Sequence, residues 1–321
     1  MRTKVVSFFS DGVRLQGLLR LPDEIASGPI AALVHGPGWL GLADAQSYVP
    51  WHEGFTAAGY GVLAFDYRGF GASEGEPGWV RPEWQLEDIL SAVTWLETCP
   101  EIDANRIGAY GMGGTGGGNA VLAAAVDTRI RCVAAQSVVA DGADWLHRMR
   151  RESEWVAYRE RVAADRRTWV SDGSGEMVGP REDLMVATPE RAALSPKKDV
   201  DNRIAEQFYL RSADYIMRYR PIDHVHRIAP RALLMTSVVG DVVTPEDHAV
   251  ALYERAGAPK KLIRQSGTSH YRSYVENRDV LLTQIVAWYD QYLRFSPVSS
   301  RSMDREETVE YLNRDALPSA P

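Results

Sequence analysis

The stretch Arg106-Ile-Gly-Ala-Tyr-Gly-Met-Gly-Gly-Thr-Gly-Gly-Gly-Asn119 decides the fold, because an apolar run ends there in a cluster of glycines. The run 106–110 is typical of a buried strand, and residues 116–126 have the spacing of a helix. A glycine-rich turn between a strand and a helix either cradles a phosphate or aims a reactive side chain into a site. The phosphate alternative lacks the Lys-Ser/Thr ending and a well-placed ribose-binding acid. We therefore favour a turn of the nucleophile-elbow kind, Gly-x-Ser-x-Gly.

Strand-like and helix-like segments alternate on both sides of this turn. Short apolar runs suit strands that are buried on both faces of a parallel sheet, and their alternation with helices is typical of right-handed βαβ units. We predict strands over residues 3–9, 13–21, 30–34, 61–65, 106–110, 130–136, 231–237 and 260–265. We predict helices over residues 48–58, 83–97, 116–126, 246–256 and 277–295. The fold class is therefore α/β, with a mostly parallel, doubly wound sheet that begins in a hairpin around Ser10-Asp11-Gly12.

The alternation stops between Asp141 and about Ile228, where arginines, acids and aromatic residues dominate and no strand is obvious. Residues 145–167 have helical spacing, and a structureless loop of that length inside a compact domain would be unusual. We therefore predict an inserted helical cap over residues 141–228. The core then consists of residues 1–140 and 229–295, and residues 296–321 form a polar tail with at most a short helical segment.

Two loops that follow predicted strands supply an acid and a base. Asp241-Val-Val-Thr-Pro245 follows the strand at 231–237, and Gly267-Thr-Ser-His270 follows the strand at 260–265. Open α/β sheets bind their ligands at the carboxyl ends of the strands, so these loops should meet the elbow. The chain order of elbow, acid and histidine is the order of an α/β-hydrolase. We predict that His270 is a catalytic base and that Asp241 orients it.

The sequence resembles the α/β-hydrolase superfamily, in the branch near the dienelactone hydrolases and the X-Pro dipeptidyl-peptidase-like acyl hydrolases. The residues that carry the likeness are Ser10–Gly12, His35-Gly36, Asp66–Ser73, Ile102-Asp103 with Arg106–Gly111, Asp241–Pro245 and Gly267–His270. The resemblance covers about residues 3–140 and 229–295 and implies an α/β-hydrolase fold. It ends at the cap, so it implies no particular substrate.

The elbow departs from the family pattern at the position that matters most. The resemblance places the family's serine at position 113, within Met112-Gly113-Gly114-Thr115, and this chain has a glycine there. A frame shifted by two residues gives Gly-x-Thr-x-Gly and makes Thr115 an alternative nucleophile. Gly113 also fits a binding protein with a dead active site, where glycine relieves backbone strain, and an engineered serine-to-glycine variant of an ordinary hydrolase.

The segment His35-Gly36-Pro37-Gly38-Trp39 corresponds to the oxyanion loop that the resemblance implies. Pro37 has no N–H at the position whose backbone donor the family commonly uses, so Gly38 or Trp39 would have to substitute. The loss of one such donor can cost about 3 kcal/mol of transition-state stabilisation. We expect His35 to pack beneath this loop and ordinary ester hydrolysis to be impaired.

Aromatic residues of the cap are candidates for the lining of a substrate pocket. Trp145, Trp155, Tyr158 and Trp169, together with Trp39, could line a site for a flat apolar ligand or could pack the cap on the core, and both interpretations stay open. The pair His224 and His226 lacks a third metal ligand at a sensible spacing. We predict no metal and no cofactor.

Composition excludes several classes of protein. The 321 residues are 45% hydrophobic and 25% charged, which is typical of a globular chain and not of a disordered one. A net charge of -7 argues against nucleic acid as a partner, and two cysteines cannot form a disulfide framework. The chain has no signal-peptide core and no apolar run near the roughly 18 residues of a membrane helix. We therefore expect a cytoplasmic protein, either monomeric or homodimeric.

A His-Asp dyad without a nucleophile can still transfer protons. We therefore predict a non-hydrolytic enzyme of secondary metabolism in which the dyad acts as a general base on a bulky aromatic or polyketide-like small molecule. The expected reactions are cofactor-independent oxygenation, in which the deprotonated substrate reduces O2, and lyase or C–C bond cleavage. The alternatives are hydrolysis of an ester or C–C bond by His-activated water or by Thr115, and a catalytically dead binding protein.

Overall fold

A nine-stranded sheet carries the architecture of the protein. The computed structural model describes residues 1–25, 28–179, 183–185, 203–294 and 306–313, and the strand order in its main sheet is β1-β2-β4-β3-β5-β6-β9-β10-β11. The strands are β1 Arg2–Ser10, β2 Val13–Leu21, β3 Ile30–His35, β4 Gly61–Phe65, β5 Ile102–Met112, β6 Ile130–Gln136, β9 Ala232–Val238, β10 Lys260–Ser266 and β11 Glu307–Asn313. Strand β2 pairs antiparallel with β1 and β4, and the other pairings are parallel. The prediction of an α/β fold with a mostly parallel sheet is confirmed.

Helices cover both faces of the sheet. The helices are α1 Val49–Ala57, α2 Pro82–Glu97, α3 Gly114–Val126, α4 Gly142–Arg148, α5 Glu152–Asp172, α6 Ser212–Ile216, α7 Glu246–Arg255, α8 His270–Glu276 and α9 Arg278–Tyr289. Successive residues of β3 point to opposite faces, so Ala32 and Val34 enter one apolar core with α2 and α3. Ala31 and Leu33 enter a second core with α1 and α9. None of the described helices combines the length and the apolar character that crossing a membrane requires.

The order of the strands places the candidate site. From β3 the chain moves to β4 on one side and then returns to β5 on the other side, so the direction of winding reverses between β3 and β5. Ligands of open α/β sheets bind at such a switch point, outside the carboxyl ends of the strands. The oxyanion loop follows β3 and the elbow follows β5, so both lie at this point.

The interpretation of residues 296–321 as a polar tail is wrong for Glu307–Asn313, which form β11 at the edge of the sheet. Lys261 of β10 pairs with Glu310 over 2.6 Å, and Arg264 donates a hydrogen bond to the Tyr311 hydroxyl over 2.9 Å. An edge strand buries only part of its side chains, so β11 can be as polar as a tail. Residues 295–305 and 314–321 lie outside the described residues.

The segment between β6 and β9, for which the sequence predicts a helical cap, contains the helices α4, α5 and α6 and also two short strands that the sequence did not indicate. Met177–Val178 (β7) pairs antiparallel with Phe208–Tyr209 (β8). The helical stretch predicted at 145–167 is divided into α4 and α5. Helix α4 begins after Asp141, whose carboxylate accepts the backbone N–H of Ala143. Residues 180–182 and 186–202 of the predicted cap lie outside the described residues.

Candidate active site

Asp241 and His270 meet at the carboxyl ends of the neighbouring strands β9 and β10. His270 Nδ1 lies 2.7 Å from Asp241 Oδ2, and both side chains are buried. The other carboxylate oxygen of Asp241 accepts backbone N–H groups from Val243 at 2.7 Å and Thr244 at 3.0 Å. Because the carboxylate is an acceptor, the Nδ1–H of His270 donates to it, and the lone pair of the neutral imidazole lies on Nε2. The structure thus brings the predicted acid and base together, and their catalytic role remains a prediction.

A tyrosine that sequence reasoning missed completes the surroundings of His270. The hydroxyl of Tyr274 lies 3.0 Å from His270 Nε2, and the two rings pack edge to face. Burial raises the pKa of Tyr274 well above its usual value, so the phenol stays protonated and donates to Nε2. The signal was the spacing of four residues, which brings side chains together on a helix. This spacing is informative only if residues 270–274 form a helix, and helix α8 was not predicted from the sequence.

Gly113 stands at the turn between β5 and α3, beside this pair. Its backbone angles are φ 80° and ψ 158°, a conformation that is almost restricted to glycine. Apart from the adjoining residues Met112 and Gly114, a Cβ built on Gly113 would have one described atom within 4 Å, the Tyr274 hydroxyl oxygen at 3.9 Å. A Cβ on Gly114 would instead lie 2.6 Å from Thr244 Oγ1. The elbow position therefore has room for a Cβ beside Tyr274, whereas the next residue has no room for a side chain.

The other two residues of the elbow point elsewhere. Met112 is buried in the second apolar core. The hydroxyl of Thr115 accepts a hydrogen bond from the backbone N–H of Trp39 over 2.9 Å. Thr115 is thus joined to the oxyanion loop, whereas His270 Nε2 is joined to Tyr274. These hydrogen bonds give no support to Thr115 as a nucleophile activated by His270.

The two N–H groups that could replace the donor missing at Pro37 already have partners inside the protein. Pro37 has none to offer, Gly38 donates to the Tyr48 hydroxyl over 3.2 Å, and Trp39 donates to Thr115. A Cβ on Gly36 would lie 2.3 Å from the Tyr67 hydroxyl, so glycine is required there by close packing. An oxyanion bound by this loop would have to replace one of these bonds.

His35 lies beneath the loop in a buried chain of polar side chains. Arg20 donates to His52 Nδ1 over 2.8 Å, and His52 Nε2 lies 2.7 Å from His35 Nδ1. Burial, assisted by the charge of Arg20, lowers the pKa of His35 to about 3. The imidazole is therefore neutral at physiological pH, and its contacts are those of a structural residue.

The aromatic residues that the sequence suggested for a pocket lie in separate clusters. Trp145 packs edge to face on Trp39, with ring centroids 5.6 Å apart, and its indole N–H donates to Val243 O over 2.9 Å. Trp155 and Tyr158 stack on each other within the cap, with centroids 6.1 Å apart. Trp169 packs on Trp79 at 5.2 Å. Packing accounts for these contacts. Trp145 lies beside the oxyanion loop, and so does Tyr219, whose ring centroid is 5.2 Å from that of Trp39. A pocket formed by the four residues stays a prediction.

The described part of the chain contains no cluster of side chains that could bind a metal ion. No three histidine, cysteine or acidic side chains there form a group that could hold an ion. His224 lies between two short 3-10 turns, Pro221–Asp223 and Val225–Arg227, and His226 lies in the second of them.

The elbow, the acid and the histidine follow one another in the chain order of an α/β-hydrolase, and the sheet has the matching topology. A comparison of the chain with known families gives the same result. The profile of the X-Pro dipeptidyl-peptidase (S15) family matches residues 11–270. The chain belongs to this family. The resemblance to the α/β-hydrolase superfamily, inferred above from its motifs, is thereby confirmed.

Three relatives place this S15-family chain among its homologues. It is 28% identical over 268 residues to an uncharacterized 31.7 kDa protein in the traX-finO intergenic region of Escherichia coli, covering 83% of this chain and 90% of that protein. It is 29% identical over 273 residues to the polyketide transferase grgF of Penicillium sp, covering 81% and 86%. It is 41% identical over 125 residues to the thiohydrolase aneE of Aspergillus aculeatus, covering 38% and 37%. The homologues of this S15-family chain thus include enzymes.

A solved structure supports the fold of the S15-family chain independently. The crystal structure of the α/β hydrolase GrgF from Penicillium sp. sh18 superposes with a TM-score of 0.78 at 23% sequence identity, covering 92% of this chain and all of that chain. At this identity the likeness concerns the fold alone.

Proposed function

We propose that this chain is a non-hydrolytic enzyme in which His270, oriented by Asp241, acts as a general base on a bulky aromatic or polyketide-like small molecule. The observation that carries the proposal is the combination of Gly113, which has no side chain, with a buried and hydrogen-bonded Asp241–His270 pair beside it. Proton abstraction needs a positioned base and no covalent intermediate, so the missing serine does not prevent it. The positive charge that His270 gains is stabilised by Asp241.

Two reactions follow from a substrate anion formed in this way. In oxygenation, an electron-rich phenolate or enolate transfers electrons to O2, and the oxygen then forms a bond to the substrate carbon. In a lyase reaction, the electron pair released by deprotonation moves into a new double bond, and a C–C bond breaks at the opposite end. The departing carbon keeps the electron pair of the broken bond and takes back the proton that His270 had accepted. Neither reaction requires a group that the protein would have to hold permanently.

The relatives support the polyketide-like class of substrate and a role in secondary metabolism. One relative along most of its length is called a polyketide transferase, and a relative of a shorter segment is called a thiohydrolase. The first name concerns polyketides, and neither name concerns peptides. Trp39 and Trp145, which pack on each other beside the oxyanion loop, would offer aromatic surface to a flat apolar substrate bound there.

Hydrolysis by water that His270 activates is the second candidate, and the S15 family relationship favours it. The oxyanion loop argues against it, because the N–H groups of Gly38 and Trp39 are engaged with Tyr48 and Thr115. A binding protein with a dead site is the third candidate. It gives no reason for a buried, hydrogen-bonded acid and base to face the empty elbow.

The proposal is tested by O2 uptake and product analysis with a panel of polyhydroxylated aromatic compounds and β-diketones. We expect wild-type turnover that is lost in His270→Ala and kept in His226→Ala, an exposed histidine on a short turn. Turnover that stops under argon identifies an oxygenase, and turnover that continues identifies a lyase or, when the product has gained water, a hydrolase. Equal turnover in wild type and His270→Ala would contradict a catalytic base at this position.

A further inference from the structure

Tyr274 occupies the place at His270 where a serine hydrolase has its nucleophile. In such enzymes the serine hydroxyl is hydrogen-bonded to the Nε2 atom of the histidine. Here the Tyr274 hydroxyl takes that position, 3.0 Å from His270 Nε2. We propose that Tyr274 is a catalytic residue that carries the proton between His270 and a substrate bound over Gly113. This inference rests on the proposed function, since it assumes that His270 acts as a base.

The room for a side chain at residue 113 lies against the phenol oxygen of Tyr274. A Cβ on residue 113 would lie 3.9 Å from the Tyr274 hydroxyl oxygen, and apart from the adjoining residues Met112 and Gly114 no other described atom would lie within 4 Å of it. A substrate atom that fills the space of the absent side chain would therefore contact the phenol oxygen. Because the Tyr274 hydroxyl already covers Nε2, such an atom exchanges its proton with His270 by way of Tyr274.

The protonation state of Tyr274 fits a relay and not a free base. Burial raises the pKa of this phenol well above its usual value, while the neighbouring Ser137 side chain opposes the shift. A phenolate would be too costly to persist, so the transfer is concerted. The C–H or O–H bond of the substrate breaks as a bond forms to the Tyr274 oxygen, and the original Tyr274 proton moves to His270 Nε2. Tyr274 remains neutral, His270 becomes an imidazolium beside Asp241, and the substrate becomes an anion.

The relay is held in position by the helix that carries both of its members. His270 and Tyr274 lie one turn apart on α8, and their rings pack edge to face with centroids 5.2 Å apart. The Ser273 hydroxyl donates to His270 O over 2.8 Å, and Asn277 donates from its side chain to Gln265 Oε1 over 2.8 Å. These bonds fix the start of α8 and tie its end to β10. A rigid pair keeps the proton path short during the reaction.

The first test asks whether Tyr274 donates to His270, and it needs no substrate. In protein labelled with 15N-histidine, the Nε2 resonance of His270 should move downfield in Tyr274→Phe, because the nitrogen loses its hydrogen bond. The matched control is Tyr289→Phe, which removes another buried tyrosine hydroxyl, one that donates to Ala109 O over 2.6 Å in the core. An Nε2 resonance that is unchanged in Tyr274→Phe would overturn the proposal.

The second test follows proton abstraction from 5-nitrobenzisoxazole, a carbon acid whose ring opens to a coloured phenolate when a base removes its C–H proton. In the relay one exchangeable proton, that of Tyr274, moves in the rate-limiting step. We therefore expect a solvent isotope effect above one in the wild type. Tyr274→Phe should be at least 10-fold slower and should lose that isotope effect, because only direct abstraction by His270 remains. Tyr289→Phe should keep both the rate and the isotope effect.

The results separate the relay from the proposed function. A Tyr274→Phe variant that is as fast as the wild type or faster, with His270→Ala inactive, would show that Tyr274 merely covers the base, and it would overturn the relay alone. A wild-type rate equal to that of His270→Ala would contradict the proposed function. In that case an Nε2 resonance that still responds to Tyr274→Phe would leave the hydrogen bond established and remove its catalytic role.

Discussion

The backbone N–H of Trp39 donates a hydrogen bond to Thr115 Oγ1 over 2.9 Å and thereby joins the oxyanion loop to the first turn of α3. The bond connects two groups that a hydrolase would need for its reaction. One is the N–H that could replace the missing donor at Pro37, and the other is the hydroxyl that a shifted elbow would use as its nucleophile. An oxyanion or an acyl group at either place would have to break this bond first.

The wild-type chain should therefore hydrolyse p-nitrophenyl acetate barely above the rate of buffer. Thr115→Val should leave that rate unchanged, because the Trp39 N–H that it frees has no nucleophile at residue 113 to assist. The substitution removes the acceptor of the Trp39 N–H, so we expect it to lower the free energy of unfolding by about 1–3 kcal/mol. Ester hydrolysis and urea denaturation measure the two effects. Fast ester turnover that disappears in Thr115→Val would instead identify Thr115 as the nucleophile.

His270→Ala and Asp241→Asn should both reduce turnover of the physiological substrate, the first by the larger factor. His270 provides the base itself, whereas Asp241 acts through His270, so we expect a loss of about 10²–10⁴ in kcat for the histidine. Steady-state kinetics on both variants measure the two losses. Asp247→Asn is the matched control, because Asp247 is an exposed carboxylate that pairs with Arg148 on the surface. Equal loss in the control would indicate a general effect of the lost charge.

The buried imidazole of His35 should make the stability depend on pH. Its pKa is about 3 in the folded chain, lowered first by burial, and about 6.5 in the unfolded chain. Between these values the unfolded chain binds a proton that the folded chain does not. The stability that the neutral His35 contributes is therefore complete above about pH 6.5 and is lost as the pH falls toward 3. We expect His35 to contribute a slope of about 1.4 kcal/mol per pH unit to the free energy of unfolding.

Denaturation of wild type and His35→Gln between pH 4.5 and 7 measures this slope. The slopes of the two proteins should differ by about 1.4 kcal/mol per pH unit, the value for one proton. The carboxylates contribute equally to both slopes and cancel. Burial also lowers the pKa of His52, so the wild-type His52 should likewise make the folded chain less stable as the pH falls. Identical slopes would mean that His35 is protonated in the folded chain.

Local patterns were sufficient to predict the sheet and the meeting of the acid with the base. Residues such as Val62 to Phe65 are buried on both faces, so a short apolar run was enough to identify β4. Asp241 and His270 each follow a strand, and parallel neighbouring strands bring their carboxyl ends together. Their contact therefore follows from topology and not from any long-range detail.

The relationships that the sequence did not reveal depend on exact placement across long separations. Trp39 and Thr115 are 76 residues apart, and their bond exists because β3 and β5 are neighbours in the sheet. Tyr274 was missed because α8 begins at His270 itself, directly after a short loop. Strand β11 was missed because a partly exposed edge strand has no continuous apolar run.

Gly113→Ser should lower the native activity and should create only weak esterase activity. The backbone there, at φ 80° and ψ 158°, strains any other residue by about 1–3 kcal/mol, but the side chain itself has room. Gly113→Ala is the matched control, because it fills the same space without a hydroxyl and should lower the native activity without hydrolysing esters. In Gly113→Ser the new hydroxyl competes with Tyr274 for His270 Nε2, so Gly113→Ser/Tyr274→Phe should hydrolyse p-nitrophenyl acetate faster than Gly113→Ser alone. Strong esterase activity in the single variant would instead mean that the chain is an ordinary hydrolase that lacks only its serine, since neither the engaged oxyanion loop nor Tyr274 would then hinder acyl transfer.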